Sequence, residues 1–354
     1  MAGNDRDKSG GISGVLALRT SQLPRHAEGV PERITEVTAL LAEVLAPRAP
    51  LTVIVDGGDP GAAATFASHL AAAFPATARA WRVDAVLGLT GPGGGMFDSA
   101  LNVLEPATDR VLVFLRGGPR HRFAEGDGER RAQVVIDHRD PDWPVIRRLH
   151  PDLADVDRWY LSESRAFFAA RAADWDAKFG DDMPRYTEAV RLAGVRPGHL
   201  VLDVGCGTGR ALPALAAAAG PTGRVVGLDF TPGMLAAAHR AGRDDCATLL
   251  LADARRLPVA DASADVIFAA GLVHHLPDPE AGLAELARVT RPGGTLAIFQ
   301  PTGRAQLAAR HGRTLRPGEP LSEERLGPLA ASSGWRLTSY EDTPTRFLAL
   351  ATRH

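Results

Sequence analysis

Apolar positions along this chain fall into two rhythms. Residues 51–55 form a short β-branched run, closed by Asp56-Gly-Gly-Asp-Pro-Gly61 and followed by an alanine-rich helical stretch over 62–74. Further strands are predicted at 110–115 and 133–136, separated by an exposed loop, 116–131, dense in glycine and arginine. Pro141, Pro144 and Pro151 mark residues 138 to 155 as connecting chain. From 157 to 192 the spacing is helical, with Trp159, Tyr160, Phe167, Phe168, Trp175 and Phe179 mostly serving helix packing. Strands at 200–204, 224–229, 248–252, 265–270 and 295–300 then alternate with helices.

Thr231-Pro232 and Asp278-Pro279 each put a capping oxygen before a proline at a helix start, and Pro292-Gly-Gly294 separates a helix from a strand. After a helix opening at Ser322, runs at 336–340 and 347–352 suit a terminal antiparallel hairpin. The class is α/β with a mainly parallel sheet.

The length of 354 residues favours two domains, and 45% hydrophobic residues exclude a wholly disordered chain. A net charge of −2 gives no global reason to bind nucleic acid or an anionic membrane. Cys206 and Cys246 alone exclude a disulfide framework or a cysteine-rich zinc module and suggest a reducing compartment. Without a signal-peptide core or a membrane-length apolar run, a cytoplasmic protein is expected.

The chemistry concentrates in Val201-Leu-Asp203-Val-Gly205-Cys-Gly207-Thr-Gly209, a strand end, an acid and three alternate glycines opening a helix. Glycines allow a ligand close to the backbone, and the helix start offers N–H donors. Asp229 follows twenty residues after Gly209, at the end of the next strand, where a carboxylate can accept both ribose hydroxyls. A pyrophosphate loop usually reads G-x-G-x-x-G, and Asp203 would repel pyrophosphate while suiting a cationic ligand with an ammonium and a sulfonium. A NAD-dependent oxidoreductase and a non-catalytic nucleotide-binding protein remain as alternatives.

With these motifs in order, residues 157–354 resemble the class I S-adenosylmethionine-dependent methyltransferases, which implies a Rossmann-like seven-stranded sheet, mainly parallel with a terminal antiparallel strand. The resemblance gives the methionine end of S-adenosyl-L-methionine to Asp203, Gly205, Gly207 and Gly209, and the ribose to Asp229. It gives the adenine to Phe230, Asp253 and Ala254, and sets Gly271-Leu-Val-His-His-Leu-Pro277 beside the methyl donor. His275, then His274, are the candidates to take a proton from the acceptor; as neighbours they are expected to point apart. Residues 157–192 are expected to form a lid whose Tyr160, Arg171, Trp175 and Phe179 line the pocket of a small-molecule acceptor. Cys206 reads as a packing residue, and no cluster suggests a metal.

Residues 33–148 more weakly resemble uridine kinase-like P-loop proteins, through 53–65 and through Ala132-Gln-Val-Val-Ile-Asp-His-Arg-Asp-Pro141. With Gly57 as first glycine, Ala62, Ala63 and Ala64 stand where the second glycine, the lysine and the metal-binding hydroxyl belong, with Thr65 one position late. Lys8 and Lys178 are the only lysines, so a pseudo-kinase without phosphate transfer is expected. Its roles would be a scaffold or homodimer-forming module, or binding of a nucleoside-like ligand. The chain then divides into an N-terminal segment 1–32, this domain at 33–148, a linker at 149–156 and the domain at 157–354.

Overall fold

The computed structural model describes residues 33–48, 51–57, 59–74, 81–85, 110–117, 131–310, 314–315 and 318–354. The N-terminal segment 1–32 and most of the glycine- and arginine-rich loop lie outside the described residues.

Two sheets organise the chain. In the first, β1 (Leu51–Gly57) lies between β2 (Trp81–Ala85) and β3 (Arg110–Arg116), and β4 (Val134–Asp137) and β5 (Val145–Leu149) extend the β3 side, giving the order β2-β1-β3-β4-β5. All pairings are parallel except β4 with β5. The helices α1 (Arg33–Leu45) and α2 (Pro60–Ala73) bury Val37, Leu41, Leu45, Phe66 and Leu70 against one face of this sheet. α2 begins two residues before the helical stretch expected at 62, because Asp59 caps it, accepting from the N–H of Gly61 at 2.9 Å and of Ala62 at 3.1 Å ahead of Pro60.

Residues 145–149 correct the connecting-chain reading of 138–155, since Val145-Ile-Arg-Arg-Leu149 pairs with β4 despite its flanking prolines. The 157–192 stretch forms α3 (Val156–Ala169), α4 (Trp175–Phe179) and α5 (Met183–Leu192). α3 is bound to the first sheet: Glu163, 1% exposed, takes the Arg33 guanidinium at 2.5 Å and the Ile146 N–H at 2.7 Å. Trp143 Nε1 donates to the Ala166 carbonyl at 2.9 Å, and Trp159 joins the first core.

The second sheet has seven strands. β6 (Leu200–Val204), β7 (Arg224–Asp229), β8 (Thr248–Leu251), β9 (Ala264–Ala270), β10 (Thr290–Gln300), β11 (Trp335–Thr343) and β12 (Arg346–Arg353) run in the order β11-β12-β10-β9-β6-β7-β8, with β12 antiparallel to both neighbours. The crossover helices are α6 (Leu212–Ala219), α7 (Pro232–Arg240) and α8 (Pro279–Val289), followed by α9 (Arg304–Arg310) and α10 (Glu323–Ser332). One core under this sheet centres on Leu202, Ile267, Leu286, Trp335 and Phe347, the other on Val201, Leu215, Phe268, Phe299 and Leu348, as strand alternation dictates. Pro292-Gly-Gly294 sits inside β10, where the register against β9 shifts between Thr290 and Thr295, so the turn expected there is a bulge. Asp278 caps α8 through the Ala281 N–H, whereas the Thr231 side chain makes no capping bond to α7, against expectation.

Among the described residues no helix is long and apolar enough to cross a membrane.

Candidate functional site

The chain leaves β6 toward β7 on one side and reaches β9 on the other, so the C-terminal end of β6 is the switch point where open α/β sheets form a ligand crevice. The loop after β6 is drawn across this end. The N–H groups of Gly205 and Cys206 both donate to the Leu228 carbonyl, at 2.8 and 3.0 Å. Asp229 secures the loop further: Oδ2 accepts from the Gly207 N–H at 2.9 Å and Oδ1 from the Thr231 N–H at 2.8 Å.

Asp203 is 1% exposed, and neither carboxylate oxygen has a hydrogen-bond partner. Burial, then the charge of Asp229, pushes its pKa up to about 8. A buried carboxylate without donors calls for a cation or a donor from outside the chain. Open space lies at the loops that follow β6 and β9. Gly207, at φ +55°, would carry a Cβ with only Met234 Sδ nearby at 4.0 Å, and a Cβ on Gly271, at φ +69°, would meet nothing within 4 Å. Gly209 is different, since a Cβ there would strike Leu212 at 2.7 Å; its smallness serves helix packing. Orphaned Asp203 oxygens and an open glycine cradle fit the positively charged end of S-adenosyl-L-methionine.

An aromatic wall continues from Asp229. Phe230 stacks on Tyr160 of α3 with ring centres 6.3 Å apart and planes 2° from parallel, and Phe168 meets Phe230 edge-on at 6.2 Å. Arg165 Nε donates to the Phe230 carbonyl at 2.8 Å. The Arg255 guanidinium lies 5.0 Å from the Tyr160 ring centre and is held by Asp253, Nη2 to Oδ2 at 2.8 Å. Ala254 packs against the second core. Tyr160 therefore touches Phe230, one of the residues assigned to the adenine, and its hydroxyl donates to the His275 carbonyl at 2.8 Å. Burial pushes its pKa up to about 12, so it stays a neutral phenol.

His274 and His275 occupy the short turn Val273–His275 after β9. The expectation that they point apart is corrected by their rings, which this tight turn brings to 4.1 Å centre to centre with planes 41° apart. His274 is exposed and its Nδ1 meets Gln300 Nε2 at 3.2 Å. His275 packs edge-on against Phe168 at 5.2 Å, and its Nδ1 is 3.5 Å from Arg147 Nη2. Burial, His274 and Arg147 hold the His275 pKa well below its usual value, keeping the ring neutral at pH 7.

Arg171 lies over the Phe167 ring at 3.9 Å and 3.7 Å from Asp137 of β4, so it belongs to the junction between the sheets. Trp175 packs against Phe168 at 5.9 Å, and the Phe179 side chain lies outside the described residues. Asp176 ties α4 onto the glycine loop, accepting from Thr208 Oγ1 at 2.6 Å and pairing with Arg243 at 2.6 Å. Cys206 is buried and burial raises its thiol pKa, which matches a packing role. Among the described residues no cluster is suited to a metal ion. Phe168, Asp176 and Arg255 lie in stretches the sequence singled out but were given no role of their own; Arg147 was hidden in a proline-flanked stretch, and only tertiary folding brings it to His275.

Residues 202–298 match the family model described as a methyltransferase domain. The ubiquinone/menaquinone biosynthesis C-methyltransferase UbiE of Cupriavidus taiwanensis is 40% identical over 117 residues, which is 31% of this chain and 46% of that protein. An uncharacterized 37.1 kDa protein in transposon TN4556 of Streptomyces fradiae is 40% identical over 107 residues, 30% of this chain and 31% of that protein. The chain thus spans less than half the length of these curated relatives. A solved S-adenosylmethionine-dependent methyltransferase from Aquifex aeolicus is 27% identical and covers 48% of this chain and 89% of its own, with a TM-score of 0.41.

Proposed function

We propose that this chain, whose residues 202–298 match a methyltransferase domain, is an S-adenosylmethionine-dependent methyltransferase that transfers a methyl group to a small-molecule acceptor by in-line displacement. The observation that carries this reading is the buried, unpartnered Asp203 carboxylate together with the open cradle at Gly207 and Gly271. When bound, S-adenosyl-L-methionine supplies an electrophilic methyl group on a sulfonium.

The chain's own residues bind, align and exclude water. Asp203 supplies negative charge to the cationic end, Gly207 allows its close approach, Gly205 at φ +72° turns the loop against Leu272, and Asp229, anchored by the Gly207 and Thr231 N–H groups, faces the ribose hydroxyls. Phe230 and Asp253 with Ala254 flank the adenine, and Tyr160 closes over Phe230 as part of the lid. Displacement at a methyl group needs alignment more than charge stabilisation, so the rigid α3 and α4 covers contribute through positioning. His275 is neutral, and the nitrogen facing Arg147 is the one able to accept a proton. The matched curated relatives include C-methyltransferases by name, which favours an acidic carbon as the acceptor atom over an amine.

For the first sheet, the reading is a phosphate loop that no longer transfers phosphate. The Asp59 carboxylate occupies two of the first-turn N–H groups of α2, and Gly57 is small because a Cβ would meet the Leu115 carbonyl at 2.7 Å. Its support for the second sheet is mechanical, through the Arg33–Glu163 pair and the backbone bond to Ile146.

Incubation of the full chain with methyl-labelled S-adenosyl-L-methionine and a panel of small phenolic, enolic and amine metabolites tests the reading. Label entering an organic product supports it, and the methylated atom, located by mass spectrometry and NMR, decides between carbon, oxygen and nitrogen. No transfer to any class, together with no binding of S-adenosylhomocysteine, would overturn it.

A further inference from the structure

We propose that the junction between the two sheets is an anion site, in which Arg147 of the first sheet grips a carboxylate or equivalent oxyanion on the methyl acceptor. This rests on the methyltransferase reading and adds the chemical class of its substrate.

Arg147 projects from β5 toward His275, its Nη2 3.5 Å from Nδ1, and its guanidinium lies 4.0 Å above the Phe167 ring. Among the described residues no carboxylate comes within ion-pair distance of it. The one acid buried nearby, Asp137, is taken by Arg139, whose Nε donates to Oδ1 at 3.0 Å, and it also faces Arg171 at 3.7 Å. Arg171 shares the Phe167 ring from 3.9 Å and spends an N–H on the Phe167 carbonyl at 2.7 Å. The guanidinium groups of Arg139, Arg147 and Arg171 thus share Asp137, with Asp140 adding a second negative charge near Arg171, so positive charge still outnumbers negative at the junction. Desolvation and the like charges of Arg116 and Arg171, only partly offset by the attraction of Asp137, bring Arg147 down to about 10, so it remains protonated at neutral pH.

A desolvated guanidinium facing an aromatic ring and an imidazole is unfavourable without a counter-ion, and its planar fork matches a carboxylate in a bidentate geometry. The position also matters. Phe168 touches both His275, at 5.2 Å, and Phe230, at 6.2 Å, so an anion on Arg147 sits across one ring from the cofactor crevice, with His275 Nδ1 beside it to receive a proton. The first sheet then does more than support α3: it supplies a specificity residue to an acceptor site that neither sheet forms alone.

Calorimetric titration of the full chain with benzoate, with inorganic phosphate and with benzamide, at constant ionic strength and with and without saturating S-adenosylhomocysteine, tests this. Benzoate or phosphate is expected to bind, the former identifying a carboxylate site and the latter a phosphate site, with benzamide at least tenfold weaker. Arg147→Met is expected to weaken the anion at least tenfold while S-adenosylhomocysteine affinity stays within twofold of wild type. Absence of anion binding, equal binding of benzoate and benzamide, or undiminished anion binding in Arg147→Met would overturn it. Should Arg147→Met not fold, the benzoate-to-benzamide ratio of the wild type and of Arg147→Lys decides. Loss of S-adenosylhomocysteine binding by the wild type would instead strike the methyltransferase reading, because the anion titration stands without it.

Discussion

Arg147 Nη2 and His275 Nδ1 stand 3.5 Å apart across the junction of the two sheets. An arginine cannot accept a hydrogen bond, so Nδ1 is the accepting nitrogen and the ring hydrogen resides on Nε2. The unprotonated nitrogen of His275 is therefore turned toward the first sheet, facing a residue about 130 positions earlier in the chain.

His275→Gln should lower kcat by about 10²–10⁴-fold if the imidazole takes the acceptor's proton, with S-adenosylhomocysteine affinity unchanged. The neutral imidazole is the active form and its pKa lies well below the usual 6.5, so kcat/KM should stay level down through that value and decline only in more acidic buffer. A pH–rate profile that breaks at or above 6.5 would contradict this assignment.

Asp203→Asn bears on the crevice itself. Between the ordinary carboxylate pKa of 3.8 and about 8, the folded protein holds a proton that the unfolded chain has released, so stability falls as pH rises through that window. The amide variant has no such proton and should lose much of this slope, gaining thermal stability relative to wild type at pH 8 more than at pH 5. It should also bind S-adenosyl-L-methionine more weakly, by about 1–3 kcal/mol. Thermal unfolding at the two pH values and calorimetry check both halves.

Asp229→Ala removes the expected ribose acceptor and orphans the N–H groups of Gly207 and Thr231. Cofactor affinity should fall by about 1–3 kcal/mol, and denaturant unfolding should show a stability loss of similar size. Unchanged affinity would remove Asp229 from the cofactor site.

In the first sheet, Asp59→Ala strips the cap of α2 and should cost about 1 kcal/mol of stability, while leaving S-adenosylhomocysteine affinity intact. The wild type should not hydrolyse or transfer phosphate from ATP; turnover at the rate of a working kinase would overturn the lost-phosphate-loop reading.

The second sheet was legible because its strands are buried apolar runs bounded by glycine turns. β6 and β7 fall on the residues expected, and the placement of Asp203, Asp229 and the histidine turn around one crevice follows from the parallel order. β2 and β5 were not legible. Trp81-Arg-Val-Asp-Ala85 mixes charge into a short strand, and Val145-Ile-Arg-Arg-Leu149 sits between prolines that ordinarily interrupt a sheet. Tyr160 was placed in the acceptor pocket from its helix alone, but the stacking on Phe230 depends on how α3 meets β7, which no local pattern encodes. Arg147 escaped for the same reason: its partners come from α3 and from the turn after β9.

Titration of the full chain with S-adenosylhomocysteine at pH 7.5, in buffers of differing ionisation enthalpy, probes the carboxylate-led crevice directly. Its Kd should be micromolar or tighter with one site per chain, and NAD should not bind. With S-adenosyl-L-methionine, whose sulfonium adds positive charge, protons should be released as the Asp203 carboxyl ionises against it. Binding of NAD with neither adenosyl ligand bound would contradict the account.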